Sequence, residues 1–155
     1  MEIKGFIETS FLDWSGKICA VLFLPSCNLR CPFCHNHELV LHPELLSPYP
    51  WDHIQKRLSA LRSWLDGVCI TGGEPTLHPD LPELLDRIHH LGLPVKLDTN
   101  GTRPEVLDAL ISQNLIDYLA MDIKGPLDPE MYGRCAVVPI SSSEIKKFLS
   151  HQNGN

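Results

Sequence analysis

The sequence predicts an α/β fold in which helices cover a parallel sheet. Two observations support this prediction: continuous apolar runs alternate with segments of helical periodicity, and a distinctive polar group follows each apolar run. Continuous apolar runs are typical of parallel strands that are buried on both faces. Because such strands end at the same edge of a sheet, we expect the polar groups to meet in one crevice.

The predicted elements follow one another as repeated strand–helix units. Strands are predicted at 18–24, 68–71, 95–97 and 118–123, and helices at 51–65, 80–91, 104–113 and 143–150. In the helix at 80–91, Leu81, Leu84 and Ile88 lie on one face, as expected of a helix packed against a sheet. Residues 126–141 are predicted to form a loop with one turn near Pro129–Tyr132.

The two ends of the chain are expected to belong to the same single domain, 1–155. Residues 1–17 are predicted to form an N-terminal clasp, in which 6–14 lies as a short strand against the sheet. The final residues, 151–155, are expected to be a frayed tail.

Composition and charge exclude several classes of partner. Thirteen Lys and Arg against 19 Asp and Glu give a net charge of -6, which argues against non-specific binding to nucleic acid or to anionic membranes. No apolar stretch reaches the roughly 18 residues of a membrane-spanning helix, and the N-terminus does not resemble a signal peptide. We therefore expect a cytoplasmic protein whose cysteines are metal ligands or core thiols rather than disulfides.

Three cysteines in one short loop are the strongest functional signal. Cys27, Cys31 and Cys34 have the spacing C-x₃-C-x₂-C directly after the first long strand. Three thiolates can hold three corners of a four-iron cubane and leave the fourth iron free to bind and reduce a small molecule. The alternative is a zinc site completed by His35 or His37.

The other three cysteines are not expected to be ligands of this site. Cys19 and Cys69 alternate with apolar residues inside strands, which indicates ordinary core thiols. Cys135 lies in the predicted late loop. It is interpreted as an unremarkable surface cysteine, with a fourth ligand or a redox thiol as the alternatives.

The second strand is followed by Gly72, Gly73, Glu74 and Pro75. Glycines let a ligand come close to backbone amide and carbonyl groups. Glu74 could then accept hydrogen bonds from an ammonium group. The simpler alternative is a turn with a solvated glutamate.

Charged residues follow the third and fourth strands. Asp98 and Asp122, on neighbouring strands, would repel each other unless a cation lay between them, and Lys124 or a bound metal ion could supply that charge. Thr99 and Asn100 could add neutral donors and acceptors, although Asn100 is equally consistent with a simple turn.

These motifs together resemble those of the radical S-adenosylmethionine superfamily. The cysteine motif at 27–34, with the aromatic Phe33 before its last cysteine, is followed one helix later by Gly-Gly-Glu-Pro at 72–75. The flanking segments 6–17 and 121–124 resemble the activating proteins of glycyl radical enzymes, closest to those of anaerobic ribonucleoside-triphosphate reductase.

The resemblance implies a partial (β/α) barrel of the radical S-adenosylmethionine type, with parallel strands and outer helices. This sequence departs from that pattern, since it is expected to be truncated after the fourth strand and its following helix. It implies that Cys27, Cys31 and Cys34 ligate a [4Fe–4S] cluster whose fourth iron binds S-adenosylmethionine. The residues implied in cofactor binding, with a monovalent cation as a further candidate, are Phe33, Gly72, Gly73, Glu74, Pro75, Asp98, Thr99, Asn100, Asp122 and Lys124.

The activity implied by the resemblance is reductive cleavage of S-adenosylmethionine to a 5′-deoxyadenosyl radical, which removes a glycine hydrogen from a partner enzyme. The implied partners are a glycyl radical enzyme and a flavodoxin- or ferredoxin-type reductant. Apolar residues Val21, Leu22, Phe23 and Ile70 are expected to shield the site from water. Two alternatives remain: a radical enzyme that modifies a small molecule or peptide, and a metal-binding module without catalysis.

Overall fold

A five-stranded sheet forms the centre of the computed structural model, which describes residues 1–126 and 128–138. The strands are β1 (Gly5–Ser10), β2 (Cys19–Leu24), β3 (Gly67–Gly72), β4 (Val95–Thr99) and β5 (Tyr118–Met121), in the spatial order β1-β2-β3-β4-β5. β1 is antiparallel to β2, and all other neighbours are parallel. The prediction of an α/β fold with a parallel sheet is therefore confirmed.

Four of the five described helices lie between successive parallel strands, and the fifth follows the last described strand. They are α1 (His37–Leu41), α2 (Trp51–Leu61), α3 (Leu81–His90), α4 (Pro104–Ser112) and α5 (Pro129–Ala136), with short 3₁₀ turns at Pro43–Leu45 and Pro75–Leu77. Within the described ranges, no helix is both long and apolar enough to cross a membrane. The helix predicted at 143–150 and the tail at 151–155 lie outside the described residues.

The largest difference from the sequence prediction is α5, which occupies a segment predicted to be mostly loop. The Asp128 carboxylate caps this helix, since Oδ1 accepts hydrogen bonds from the amides of Glu130 (3.1 Å) and Met131 (3.0 Å). Smaller differences concern boundaries: α2 ends at Leu61 rather than at 65, and β5 ends at Met121, so that Ile123 is exposed.

The two faces of the sheet bury different residues because side chains alternate along each strand. Leu22 and Ile70 point to the face that packs against the helices, in the main core. Cys19 and Cys69 point to the opposite face, where they are fully buried against Trp14. The prediction of two core thiols is confirmed. Leu22 and Ile70 were expected to shield the cofactor site from water, but they pack against the helices, on the other face of the sheet from Cys69.

The N-terminal segment adds β1 to the edge of the sheet and then closes one end of it. Phe6 pairs with Leu22 across the antiparallel ladder. After β1, the chain turns so that Trp14 is nearly fully buried, and its ring lies against Gly67 at the start of β3. Trp14 therefore covers the end of the sheet where β3 begins, which is opposite the end where the parallel strands finish.

Candidate functional site

A cavity of about 680 Å³ lies at the carboxyl ends of the parallel strands, a size typical of small-molecule sites. Each of the four parallel strands contributes to its wall through the segment that ends or follows it. The motif residues that line this cavity are Cys27, Cys31, Phe33, Cys34, Gly72, Gly73, Asp98, Thr99, Asn100, Asp122 and Lys124. The structure thus brings together groups that are up to about a hundred residues apart in sequence.

The cysteine loop between β2 and α1 is held by its own backbone and by α5. The amide of Leu29 donates to Cys27 Sγ (3.3 Å), and the Leu29 side chain is buried against Tyr132 and Ala136. The amide of Arg30 donates to the carbonyl of Ala136 (2.9 Å). The helix missed by the sequence prediction therefore anchors the loop that carries the predicted ligands.

All three cysteines of the loop are unpaired, half-buried thiols that line the cavity. Burial raises the pKa of Cys27, and it also raises the pKa of Cys31, although the nearby Lys124 ammonium opposes that shift. A metal that binds here must therefore displace protons from these two thiols at neutral pH.

The paired glycines allow β3 to pack directly on the chain that leads into the cysteine loop. Gly72 has a φ of 118°, and a Cβ on Gly73 would overlap the carbonyl of Ser26. The amide of Gly73 donates to the carbonyl of Leu24 (2.8 Å), and Asn36 Nδ2 donates to the carbonyl of Gly72 (2.9 Å). The missing side chains thus make room for neighbouring backbone as well as exposing backbone to the cavity.

Glu74 is fully buried and serves as a clamp between β3 and β4. One carboxylate oxygen accepts from the amide (3.1 Å) and hydroxyl (2.5 Å) of Thr76 and from the hydroxyl of Thr99 (2.8 Å). The other oxygen accepts from the amide of Asn100 (2.7 Å). Glu74 is therefore not the solvated glutamate of a simple turn, and neither Glu74 nor Pro75 is among the cavity-lining residues. The contact of Glu74 with an ammonium group stays a prediction.

The two aspartates at the cavity each have a lysine partner of their own. Lys124 Nζ lies 2.7 Å from Asp122 Oδ2, and Lys96 Nζ forms an ion pair with Asp98 Oδ1. Lys96 was not predicted as a site residue, although a lysine between Val95 and Leu97 in a buried strand was an available signal. A bound monovalent cation stays a prediction.

Asn100 connects β4 to the cysteine loop. Its Nδ2 contacts Cys27 Sγ (3.7 Å) and donates to Asn28 Oδ1 (2.9 Å), while Asn28 Nδ2 donates to Thr102 Oγ1 (2.8 Å). Asn28 was missed because a lone asparagine between cysteines has no distinctive pattern. Phe33 lies at the cavity with 54% of its surface exposed.

The donor set of the cavity fits an iron–sulfur cluster. Three unpaired thiols from one loop line the same space, and thiolates are the ligands that iron–sulfur clusters take. Among the residues that the structure describes, no three His, Cys, Asp or Glu side chains converge on a single-ion metal site.

Comparison with known proteins identifies the family of this domain. The Radical SAM superfamily model matches residues 21–149. The chain is 40% identical over 127 residues to the "Putative glycyl-radical enzyme activating enzyme MJ1227" of Methanocaldococcus jannaschii, covering 81% of this chain and 51% of that protein. It is also 41% identical over 76 residues to a 7-carboxy-7-deazaguanine synthase of Halobacterium salinarum, covering 49% of this chain and 29% of that protein.

Solved structures support the fold. Streptococcus suis SuiB aligns with a TM-score of 0.57 and 21% identity over 86% of this chain and 31% of its own. Escherichia coli QueE aligns with a TM-score of 0.54 and 19% identity over 65% of this chain and 52% of its own. The chain spans about half the length, or less, of the curated relatives described above.

The family match covers the cysteine loop, the paired glycines and the carboxyl ends of all the parallel strands. The partial barrel expected from the sequence agrees with the mostly parallel sheet and with the partial coverage of the solved structures. The superfamily uses a [4Fe–4S] cluster and S-adenosylmethionine, which are the cofactors that the resemblance in sequence implied. This chain therefore belongs to the radical SAM superfamily.

Proposed function

We propose that this chain carries the cofactor site of an enzyme that activates a glycyl radical enzyme, with anaerobic ribonucleoside-triphosphate reductase as the first candidate partner. The observation that carries the proposal is the cysteine loop opening onto the strand-end cavity, in a chain 40% identical to a protein named as an activating enzyme of this kind. A flavodoxin- or ferredoxin-type protein is the proposed reductant.

Different residues of the cavity wall would hold the cluster and S-adenosylmethionine. Cys27, Cys31 and Cys34 would hold the cluster, and the walls formed by Gly72–Gly73 and Asp98–Asn100 would hold S-adenosylmethionine. When bound and reduced, the cluster supplies the electron for cleavage of the carbon–sulfur bond of S-adenosylmethionine.

The side chains around the cavity prepare it for these ligands. Lys124 places a positive charge near the thiols of Cys31 and Cys34, which offsets the negative charge of the thiolates after they lose their protons. The Asn100 amide group fixes the position of Cys27 through its contact with Sγ. Preformed geometry of this kind lowers the cost of bringing the reacting groups together.

The mouth of the cavity suits a peptide rather than a fully enclosed metabolite. Phe33 and Leu41 both line the cavity, and they are 54% and 50% exposed. Exposed apolar side chains beside a site are typical of surfaces that contact another protein. This apolar mouth supports the proposal that a glycine-bearing loop of a partner enters there.

Anaerobic reconstitution tests the cofactor part of the proposal. We expect about four irons per chain and release of 5′-deoxyadenosine after reduction in the presence of S-adenosylmethionine. Cys31→Ala should abolish that release, whereas Cys135→Ala, at a cysteine outside the cavity lining, should retain it. A colourless wild-type protein that binds one zinc ion would contradict the proposal.

A second experiment tests the partner. The reconstituted chain is mixed with anaerobic ribonucleotide reductase containing α-deuterated glycine, under reducing conditions with S-adenosylmethionine. We expect a glycyl radical signal by EPR and deuterium in the 5′-deoxyadenosine. Release of unlabelled 5′-deoxyadenosine without an EPR signal would reject this partner and leave the cofactor assignment intact.

A small-molecule substrate is the second candidate, because the chain is also 41% identical over 76 residues to a 7-carboxy-7-deazaguanine synthase. In that case, deuterium in 5′-deoxyadenosine would come from a labelled metabolite and not from the glycine of a protein. Incubation with a deuterated low-molecular-mass extract, followed by mass analysis of 5′-deoxyadenosine, distinguishes the two candidates.

A further inference from the structure

A buried lysine lies directly beneath the wall of the cavity. Lys96 is the second residue of β4, opposite Cys69 of β3, and only 8% of its surface is exposed. Its neighbours Val95 and Leu97 are in the main core on the helix side, so Lys96 points to the face that continues into the site. A buried lysine is rare unless its charge is paired.

Lys96, Asp98 and Cys69 form one connected unit. The Lys96 ammonium forms an ion pair with Asp98 Oδ1 and lies 3.8 Å from Cys69 Sγ. The Cys69 thiol donates to Asp98 Oδ2 (3.3 Å). Lys96 therefore holds one carboxylate oxygen of Asp98 and Cys69 holds the other. Asp98 also lines the cavity.

The pKa shifts of Lys96 and Cys69 agree with these contacts. Burial alone would lower the pKa of Lys96, but the hydrogen bond and charge of Asp98 outweigh it and raise that pKa, so the ammonium stays charged. Burial and the Asp98 charge also raise the pKa of Cys69, which keeps its thiol protonated and able to donate. A cation between Asp98 and Asp122 was expected from the sequence, whereas in the structure Asp98 pairs with Lys96 of its own strand and Asp122 pairs with Lys124.

We propose that Lys96 is a positioning residue of the cofactor site: a built-in cation that fixes the Asp98 carboxylate at the cavity wall and takes the place of a bound monovalent metal ion. S-adenosylmethionine carries an ammonium and a sulfonium group, so an ionised, oriented carboxylate on the wall favours its binding. The inference rests on the proposed function only in its choice of ligand.

The first test needs no variant and no partner enzyme. Binding of S-adenosylmethionine to the reconstituted wild-type protein is measured by equilibrium dialysis in potassium chloride and in choline chloride at equal ionic strength. Because Lys96 supplies the charge, we expect less than about a twofold change in affinity. A loss of tenfold or more without potassium would overturn the proposal, since it would show that a bound metal ion is required.

The second test removes the built-in cation. In choline chloride, Lys96→Met should weaken binding by about tenfold or more, because the charged hydrogen bond that orients Asp98 is lost. Potassium or methylammonium should restore several-fold of that loss, and Lys96→Arg should stay within about threefold of the wild type. Lys56→Met, at an exposed lysine of α2, is the matched control and should bind normally.

A purely structural role for Lys96 gives a different pattern, which overturns the proposal: Lys96→Met would melt at a lower temperature but bind S-adenosylmethionine with unchanged affinity in every salt.

The melting temperatures of the metal-free proteins provide a third test, which does not depend on cofactor binding. The melting temperature of Lys96→Met should rise by several degrees when potassium or methylammonium replaces choline, whereas that of the wild type should not. Equal responses of the two proteins would also overturn the proposal. Failure of glycine activation alone would leave all of these results unchanged.

Discussion

At the scale of single residues, Glu74 is the buried charge on which the geometry of two strand ends depends. Its carboxylate accepts hydrogen bonds from Thr76, Thr99 and the amide of Asn100. A glutamine would present an amide NH₂ to one of these donors and leave it unsatisfied. The cost of a buried unsatisfied donor is high because water cannot replace the lost partner.

We expect Glu74→Gln to lower the free energy of unfolding by about 2–4 kcal/mol, measured by urea denaturation of the metal-free protein. Glu83→Gln is the matched control, since Glu83 is exposed and pairs with Arg87 on the surface of α3. It should stay within about 0.5 kcal/mol of the wild type. Equal stability of Glu74→Gln and the wild type would show that the clamp is not required.

Cys19 gives a prediction about pH. Burial raises its pKa to about 11, so between its ordinary pKa and that value the unfolded chain loses the thiol proton while the folded chain keeps it. The Cys19 thiol therefore makes its full contribution to the free energy of unfolding below about pH 9. This contribution falls by about 2–3 kcal/mol as the pH rises to about 11. Urea denaturation of wild type and Cys19→Ala across this range should give curves that converge. If the two proteins kept a constant difference in stability across this pH range, the raised pKa of Cys19 would be contradicted.

Asp98, Asp122 and Lys124 could be placed at the cavity from the sequence, and Lys124 could be named as a partner for the aspartates, but the partners of Asp98 could not be predicted. Asp98 and Lys124 follow apolar runs, and the ends of such runs can be located without a structure. The pairing of Asp98 with Lys96 and Cys69 depends on the register of β3 against β4, which places Cys69 opposite Lys96. Register is set by packing of the whole sheet, so local patterns do not reveal it.

At the scale of elements, the loops at the cavity depend on close backbone packing. β3 ends in Gly72, and the next residue, Gly73, lies against Ser26 in the chain that leads to the cysteines. Ser26 itself has a positive φ of 67°. The two segments therefore constrain each other, and a side chain added to one must move the other.

Gly73→Ala tests this contact. A Cβ there would overlap the Ser26 carbonyl, so we expect a loss of at least about 2 kcal/mol in the free energy of unfolding, together with poor iron loading on reconstitution. Gly133→Ala, in the interior of α5, is the control: the nearest atom to its Cβ is the Val138 carbonyl oxygen at 3.4 Å. Alanine is the better helix former, so this variant should be as stable as the wild type or slightly more stable. Normal iron loading of Gly73→Ala would show that the loop tolerates displacement.

The element that the sequence did not predict is α5, and the reason is its short apolar face. Among the α5 side chains whose burial the structure describes, Tyr132 and Ala136 belong to the buried cluster that holds Leu29. Two buried positions in an eight-residue helix do not produce a clear helical period. Asp128 and Pro129 start the helix, but the same pair also starts many turns.

At the scale of the whole molecule, the main core and the cysteine loop are stabilised by two different buried clusters, which share Met121 as a partly buried neighbour. The main core lies between the sheet and helices α2, α3 and α4, and includes Leu22, Ile70 and Leu97. The loop is held by the smaller cluster of Leu29, Tyr132 and Ala136. A ligand bound by the loop therefore stabilises that part of the protein first.

Removal of iron should consequently loosen the loop and leave the sheet intact. After chelation under anaerobic conditions, we expect hydrogen–deuterium exchange to accelerate about tenfold or more at Arg30, whose amide donates to Ala136, and across α5. The amides of β3, which lie between two parallel neighbours, should keep their protection. The Cys31→Ala protein should show the iron-free pattern before any chelation. Loss of protection in β3 to the same extent would show that the cluster supports the entire fold and not only the loop that carries its ligands.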